Sequence, residues 1–198
     1  METLSDLFEE QIKDLYSAET QLVRALPRMI KAASSKELVG ALTDHLEQTR
    51  TQVQRLETIA ERAGFKAKGK VCHGMKGLLE EGVEATEEQG NELVIDGAII
   101  AAAQRVEHYE ISGYGTARAL AKRLGQMDFA KMLEETLREE EQADALLTKT
   151  AENVVYRNAP VSDSETGDKE DMEHGGKEGK KEEKEGKGKM ATAKRAGH

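Results

Sequence analysis

Residues 99–114 read Ile-Ile-Ala-Ala-Ala-Gln-Arg-Val-Glu-His-Tyr-Glu-Ile-Ser-Gly-Tyr. Steps of three and four residues along this stretch join one line of side chains on one face of a helix: Ile100, Ala103, Glu107, Glu110 and Tyr114. The line begins with apolar residues and carries two carboxylates at its centre. The pattern therefore predicts a helix that faces a protein core and brings Glu107 and Glu110 into that core.

The composition of the whole chain favours long helices. The 198 residues are 34% charged and only 4% aromatic, with two prolines and a formal net charge of -9. Few aromatic residues and many Ala, Leu, Glu and Lys argue against a β-sandwich or barrel. The acidic balance argues against a specific nucleic-acid partner, and the single cysteine excludes an internal disulfide. Because no apolar run reaches 18 residues and no signal sequence is recognisable, we expect a cytoplasmic protein with no membrane span.

The composition changes at residue 159. Residues 159–198 hold 10 acidic residues, 9 basic residues and 7 glycines, with no Leu, Ile, Phe, Tyr or Trp. A segment with so little apolar surface cannot offset the entropy lost on ordering. We therefore predict a folded domain over residues 1–158 and a disordered, solubilising tail over residues 159–198.

Start and stop signals divide the first 158 residues into four long helices, at about 3–33, 36–63, 91–124 and 128–156. Pro27 should kink the first helix. Ser34 to Glu37 has the pattern of a capping box that opens the second helix, and Asp128 is the expected cap of the fourth. The crossover, residues 65–90, should contain a short helix at about 72–81. Short turns make each pair of long helices an antiparallel hairpin, so the sequence predicts an all-α, ferritin-like four-helix bundle with one long crossover.

Polar residues interrupt the apolar line of each long helix near its middle. Carboxylates from three helices would repel one another in a core, where the fourth helix contributes a histidine, unless cations neutralised their charge. Bundles of this kind hold pairs of metal ions through inward-facing Glu and His side chains, and we predict a di-iron or di-manganese site. The candidate ligands are Glu19, His45, Glu107, Glu110, Glu140 and Asp144.

Simpler interpretations of some of these residues remain open. Glu140 and Asp144 could line a solvated helix face, and His45 could be a hydrogen-bonded core histidine. His108 points about 100° away from Glu107 around its helix and could bind at the surface or do nothing. Cys72, with His73 beside it, makes a poor metal site, and we expect a partly exposed thiol.

Four segments resemble the YciE/YciF family of ferritin-like stress proteins: Asp14-Leu-Tyr-Ser-Ala-Glu19, His45-Leu-Glu-Gln-Thr49, Cys72-His-Gly-Met-Lys-Gly-Leu-Leu-Glu-Glu81 and residues 101–114. The resemblance implies a bacterial stress protein with a fold similar to rubrerythrin, which tends to form homodimers. Di-iron relatives in the wider superfamily carry Glu-x-x-His on the second and fourth helices. Here those positions hold Thr49 with Gln52 and Glu140 with Ala143, so neither motif is intact.

Two principal functions are consistent with these features. The first is a di-iron or di-manganese protein that reacts with peroxide or oxygen. The alternative is a non-catalytic homodimeric stress protein that retains a vestigial metal site, and iron storage is a third, weaker hypothesis. If the helix lines are correct, five of the candidates converge in one cluster: Glu19, His45, Glu107, Glu110 and Glu140. At least one carboxyl group then has a strongly raised pKa without metal.

Overall fold

Helices account for all the regular structure in residues 1–162, the part of the chain that the computed structural model describes. They are α1 (Leu4–Ala32), α2 (Lys36–Ala63), α3 (His73–Glu87), α4 (Glu92–Arg123), α5 (Met127–Thr150), a π-helical turn (Ala151–Val155) and α6 (Tyr156–Asn158). The predicted disordered tail, residues 159–198, lies outside the described residues apart from its first four. None of the described helices is both long enough and apolar enough for a bilayer crossing.

The four long helices form a ferritin-like bundle, which confirms the predicted fold class. Helices α1 and α2 pack together as one hairpin, α4 and α5 form the other, and α1 with α4 and α2 with α5 meet between the hairpins. The crossover contains α3, which packs against α1 and α4. The short helix was predicted correctly but is longer than expected, because it continues to Glu87.

The start of α2 differs from the prediction. Ser35, not Ser34, is the N-cap, and its hydroxyl accepts a hydrogen bond from the Leu38 amide. The predicted capping box with Glu37 was wrong because the buried carboxylate of Asp96 on α4 binds this turn. Asp96 accepts hydrogen bonds from the Ser34 amide (2.8 Å), the Ser34 hydroxyl (2.9 Å) and the Ser35 amide (2.8 Å). One α4 side chain thus holds the link between the helices of the other hairpin.

Helix α5 begins without the predicted cap. Its N-cap is Gln126, which makes no side-chain capping bond. Asp128 lies inside the helix, where its carboxylate is 3.1 Å from Arg62 at the end of α2. The predicted capping role of Asp128 was wrong because the helix begins one residue earlier, at Met127. Pro27 lies inside α1, which continues beyond it to Ala32.

The core of the bundle has two apolar clusters. One contains Leu22, Leu26 and Met29 of α1 with Leu38 and Leu42 of α2. The other contains Phe8, Ile12 and Leu15 of α1 with Leu56 and Ile59 of α2. Between them in sequence lie the buried polar residues Glu19, His45, Thr49 and Gln52. The predicted lines are therefore apolar and buried toward both ends and polar in the middle. The exception to burial is Leu4, which is 44% exposed.

Candidate metal centre

Five of the six predicted ligands lie in the buried middle of the bundle. Glu19 on α1, Glu110 on α4 and Glu140 on α5 are fully buried, and Glu107 and His45 are nearly so. Each occupies the position that the spacing of three and four residues predicts, on a helix face that is apolar toward both ends. The four long helices therefore all contribute a polar side chain to one layer.

Four of these residues form a compact set of potential ligands. One ligand atom each from His45, Glu107, Glu110 and Glu140 lies within 4.8 Å of all the others. His45 Nε2 is 3.4 Å from Glu107 Oε1, and His45 Nδ1 is 4.0 Å from Glu140 Oε2. Ligands on opposite sides of an ion with bonds of about 2.0–2.2 Å are roughly 4–4.4 Å apart. The separations in this set are therefore comparable to those between ligands of one cation.

Most potential ligand atoms of this layer have no hydrogen-bond partner. Among the described residues, no hydrogen bond reaches either ring nitrogen of His45, either carboxyl oxygen of Glu110 or Glu140, Glu107 Oε2 or Glu19 Oε2. Buried polar atoms nearly always have a partner, because each unsatisfied group costs free energy. Carboxylate oxygens with one imidazole are suitable ligands for iron and manganese. The residues therefore fit a bound cation.

Glu19 lies beside the four-residue set rather than in it. The Tyr114 hydroxyl donates a hydrogen bond to Glu19 Oε1, while Glu19 Oε2 has no partner. The charge of Glu19 nevertheless raises the pKa of both Glu107 and Glu110, so it acts on the same layer. Tyr114, which is fully buried, holds one oxygen of Glu19 and leaves the other available.

Asp144 lies at the edge of the site. Its side chain is 23% exposed, accepts a hydrogen bond from Gln104 (2.9 Å) and lies 3.5 Å from His108 Nε2. The structure therefore brings His45, Glu107 and the other two members of the set together, but it does not bring Asp144 into that group. His108 is largely exposed.

Burial disfavours the charged forms of the side chains in this layer when no metal is bound. It raises the pKa of Glu110 and of Glu107 well above the ordinary value, and the charges of neighbouring carboxylates raise both further. Burial also raises the pKa of Glu140 to about 8 and lowers that of His45 to about 4. The expected raised carboxyl pKa is thus confirmed. At neutral pH without metal, the carboxyl groups retain protons and the imidazole is neutral.

An ion pair between Arg55 and Glu139 adjoins the layer. This pair was not predicted from the sequence. Arg55 binds Glu139 through both Nη atoms, at 2.7 and 3.0 Å, and Gln52 Nε2 donates to Glu139 at 3.0 Å. The Arg55 charge opposes the rise in pKa of Glu140. Arg55 follows Gln52 by three residues and so shares its helix face. That spacing is the sequence feature that could have identified Arg55. Gln52 replaces the histidine of one Glu-x-x-His motif, and its amide nitrogen is hydrogen-bonded to Glu139.

Cys72 is buried, so the expectation of a partly exposed thiol was wrong. Its Sγ lies 2.8 Å from the Tyr109 hydroxyl and 3.2 Å from Asp14 Oδ2, and its amide donates to the Ser17 hydroxyl. Burial raises the pKa of the thiol. Cys72 caps α3, and these contacts attach the crossover to α1 and α4.

Comparisons with known proteins identify the family. The profile of DUF892, a domain of unknown function, matches residues 3–160. Protein YciF of Escherichia coli K12 is 44% identical over 160 residues, which cover 80% of this chain and 96% of that protein.

Solved structures agree with this match. The crystal structure of the E. coli stress protein YciF has a TM-score of 0.74 and 45% identity, covering 76% of this chain and 96% of that one. YcfI of Rhodopseudomonas palustris has a TM-score of 0.72 and 40% identity over 75% and 94% of the two chains. A Xanthomonas campestris protein with a TM-score of 0.61 is only 18% identical, covers 78% and 94%, and shows the fold alone. The chain therefore belongs to the DUF892 family and, within it, is a relative of YciF, as its motifs predicted.

Proposed function

We propose that this chain is a cytoplasmic, homodimeric stress-response protein whose bundle binds two iron or manganese ions and reacts with peroxide or oxygen. The observation that supports metal binding is the layer of unpartnered ligand atoms on His45, Glu107, Glu110 and Glu140. The stress role is extended from the E. coli protein, which is described as a stress protein.

Two ions would be held by the five buried side chains. The four-residue set would bind one ion, and Glu19, whose Oε2 has no partner, would contribute to binding the other together with neighbouring carboxylates. Four carboxylates balance the charge of two divalent ions, so a loaded core would carry no large net charge. Asp144 would act at the edge. When bound, the two ions supply Lewis acidity and a clamp for two oxygen atoms.

The chain itself orients and protects this site. Tyr114 donates a hydrogen bond to Glu19 and fixes which of its oxygens is available. Arg55 places a positive charge near Glu140 and Glu19, which favours their ionised, ligating forms. The apolar clusters on both sides limit access of water, which strengthens electrostatic interactions in the layer.

A second candidate is a non-catalytic stress protein with a vestigial site. The observation that favours it is Gln52, whose amide binds Glu139 where a histidine ligand would stand. Ala143 replaces the other histidine. In this alternative the carboxyl groups remain protonated in the cell, and the protein works by association with other molecules.

The variant Glu107→Gln with Glu110→Gln separates the two candidates. At a free metal concentration 100 times Kd, a bound ion stabilises the native state by about 2.7 kcal/mol. That corresponds to a rise in Tm of roughly 5–11 °C for a chain of this size. We expect Fe²⁺ or Mn²⁺ to raise the Tm of the wild type by this amount and to leave the double variant unchanged.

The matched control is Glu80→Gln with Glu84→Gln, since both of these α3 residues are exposed. It should retain the full metal-dependent rise. If neither metal shifts the wild-type Tm, and the double variant is more stable than the wild type, the vestigial site is the better explanation.

A further inference from the structure

A cavity of about 180 Å³ lies between α2 and α5 and reaches the polar layer. Two ligand candidates, His45 and Glu107, form part of its wall, and both are more than nine-tenths buried. The His45 ring nitrogens and Glu107 Oε2 have no partner. The outer wall contains the exposed residues Gln142 and Leu146. The cavity therefore connects the protein surface with potential ligand atoms that have no hydrogen-bond partner.

Small side chains account for this space. Ala41 on α2 and Ala143 on α5 are the smallest residues in the wall. Helices α2 and α5 come from different hairpins and pack against each other less extensively than the helices within either hairpin. Sites for drug-sized molecules usually have about 300–1,000 Å³, so this cavity suits hydrated cations, peroxide or oxygen rather than a larger organic molecule.

The charge of the cavity has one sign. The charged residues of its lining are Asp44 and Glu139, and it contains no lysine or arginine. Arg55, behind the wall, pairs with Glu139, which leaves the exposed Asp44 as the unshielded charge near the opening. A cleft lined by acidic groups concentrates cations and repels anions.

We propose that this cavity is the entrance to the metal centre, a proposal that rests on the metal-binding function above. Divalent cations and small uncharged molecules pass between Ala41 and Ala143 and meet His45 first. Anions and bulky organic molecules are excluded by the charge and by the width of the opening.

The rate at which Co²⁺ binds tests the entrance separately from affinity. Stopped-flow measurement of its visible absorption would compare the wild type with Ala143→Leu, which narrows the cavity. The matched control is Ala145→Leu on the exposed side of the same helix. We expect Ala143→Leu to slow binding about tenfold or more, because Co²⁺ must then wait for local opening of the helices. Its final stoichiometry and the rate of the control should match those of the wild type.

Ala41→Leu narrows the cavity from the opposite helix and serves if the first variant fails to fold. Asp44→Asn should slow Co²⁺ binding severalfold at low ionic strength, with the difference vanishing at high salt. The rate at which bound Co²⁺ is lost to EDTA, a bulky anion, should not depend on the EDTA concentration. Unchanged binding rates in both leucine variants, or loss that accelerates with EDTA, would overturn the entrance while leaving the metal site intact. No Co²⁺ binding by the wild type would overturn both.

Discussion

Replacing Glu140 with glutamine tests whether a neutral carboxyl group stabilises the metal-free core. Glutamine has nearly the same shape and cannot ionise. Burial raises the pKa of Glu140 from 4.5 to about 8 in the folded protein. A group that binds its proton more tightly when folded contributes stability below its unfolded pKa, and that contribution is lost as the pH rises through its folded pKa. The wild type should therefore lose stability between about pH 5 and pH 9.

The size of the effect follows from the shift. A rise of about 3.5 units at about 1.36 kcal/mol per unit gives a loss of up to about 5 kcal/mol across this pH range. Coupling to Glu107 and Glu110 spreads the loss over several carboxyl groups. Glu140→Gln should match the wild type within about 1 kcal/mol at pH 5. At pH 9 it should be more stable than the wild type by a few kcal/mol.

Urea unfolding followed by circular dichroism, on protein treated with a chelator, measures both free energies. Glu141→Gln is the matched control, since Glu141 is the exposed neighbour and should change stability by no more than about 0.5 kcal/mol at either pH. A wild type whose stability is the same at pH 5 and pH 9, or a variant without advantage at pH 9, would refute a neutral, buried Glu140.

Three further predictions concern contacts around the site. Tyr114→Phe leaves Glu19 Oε1 without its donor and should cost about 1–3 kcal/mol in urea unfolding; no loss would mean that this hydrogen bond is absent. Asp96→Ala removes three hydrogen bonds from the turn between α1 and α2 and should cost about 2–4 kcal/mol, whereas the exposed control Asp128→Ala should cost about 0.5 kcal/mol or less. Iodoacetamide should alkylate buried Cys72 about 100-fold or more slowly in native than in urea-unfolded protein, and mass spectrometry showing equal rates would contradict its burial.

The fold was predictable because the information is local. Apolar residues spaced by three and four define the buried face of each long helix, and Gly64 and Gly125, both with positive φ, mark where α2 and α4 end. Polar residues on those apolar faces also identified Glu19, His45 and Glu110 as buried. These predictions need only the helical period.

The helical period does not place side chains whose surroundings depend on contacts between distant segments. Asp144 follows Glu140 by four residues, which turns its side chain about 40° further around the helix, and Gln104 and His108 bind it there. The period alone does not show which neighbour meets that face. The burial of Cys72 depends in the same way on where the crossover packs.

Anomalous diffraction tests the central proposal most directly. Crystals of protein purified without chelator and grown with Fe²⁺ or Mn²⁺ would be measured on both sides of the corresponding absorption edge. We expect a strong peak among His45, Glu107, Glu110 and Glu140, about 2.0–2.3 Å from their ligand atoms, and a second peak near Glu19. An absence of anomalous density in this layer, with the ligand atoms still unpartnered, would contradict it.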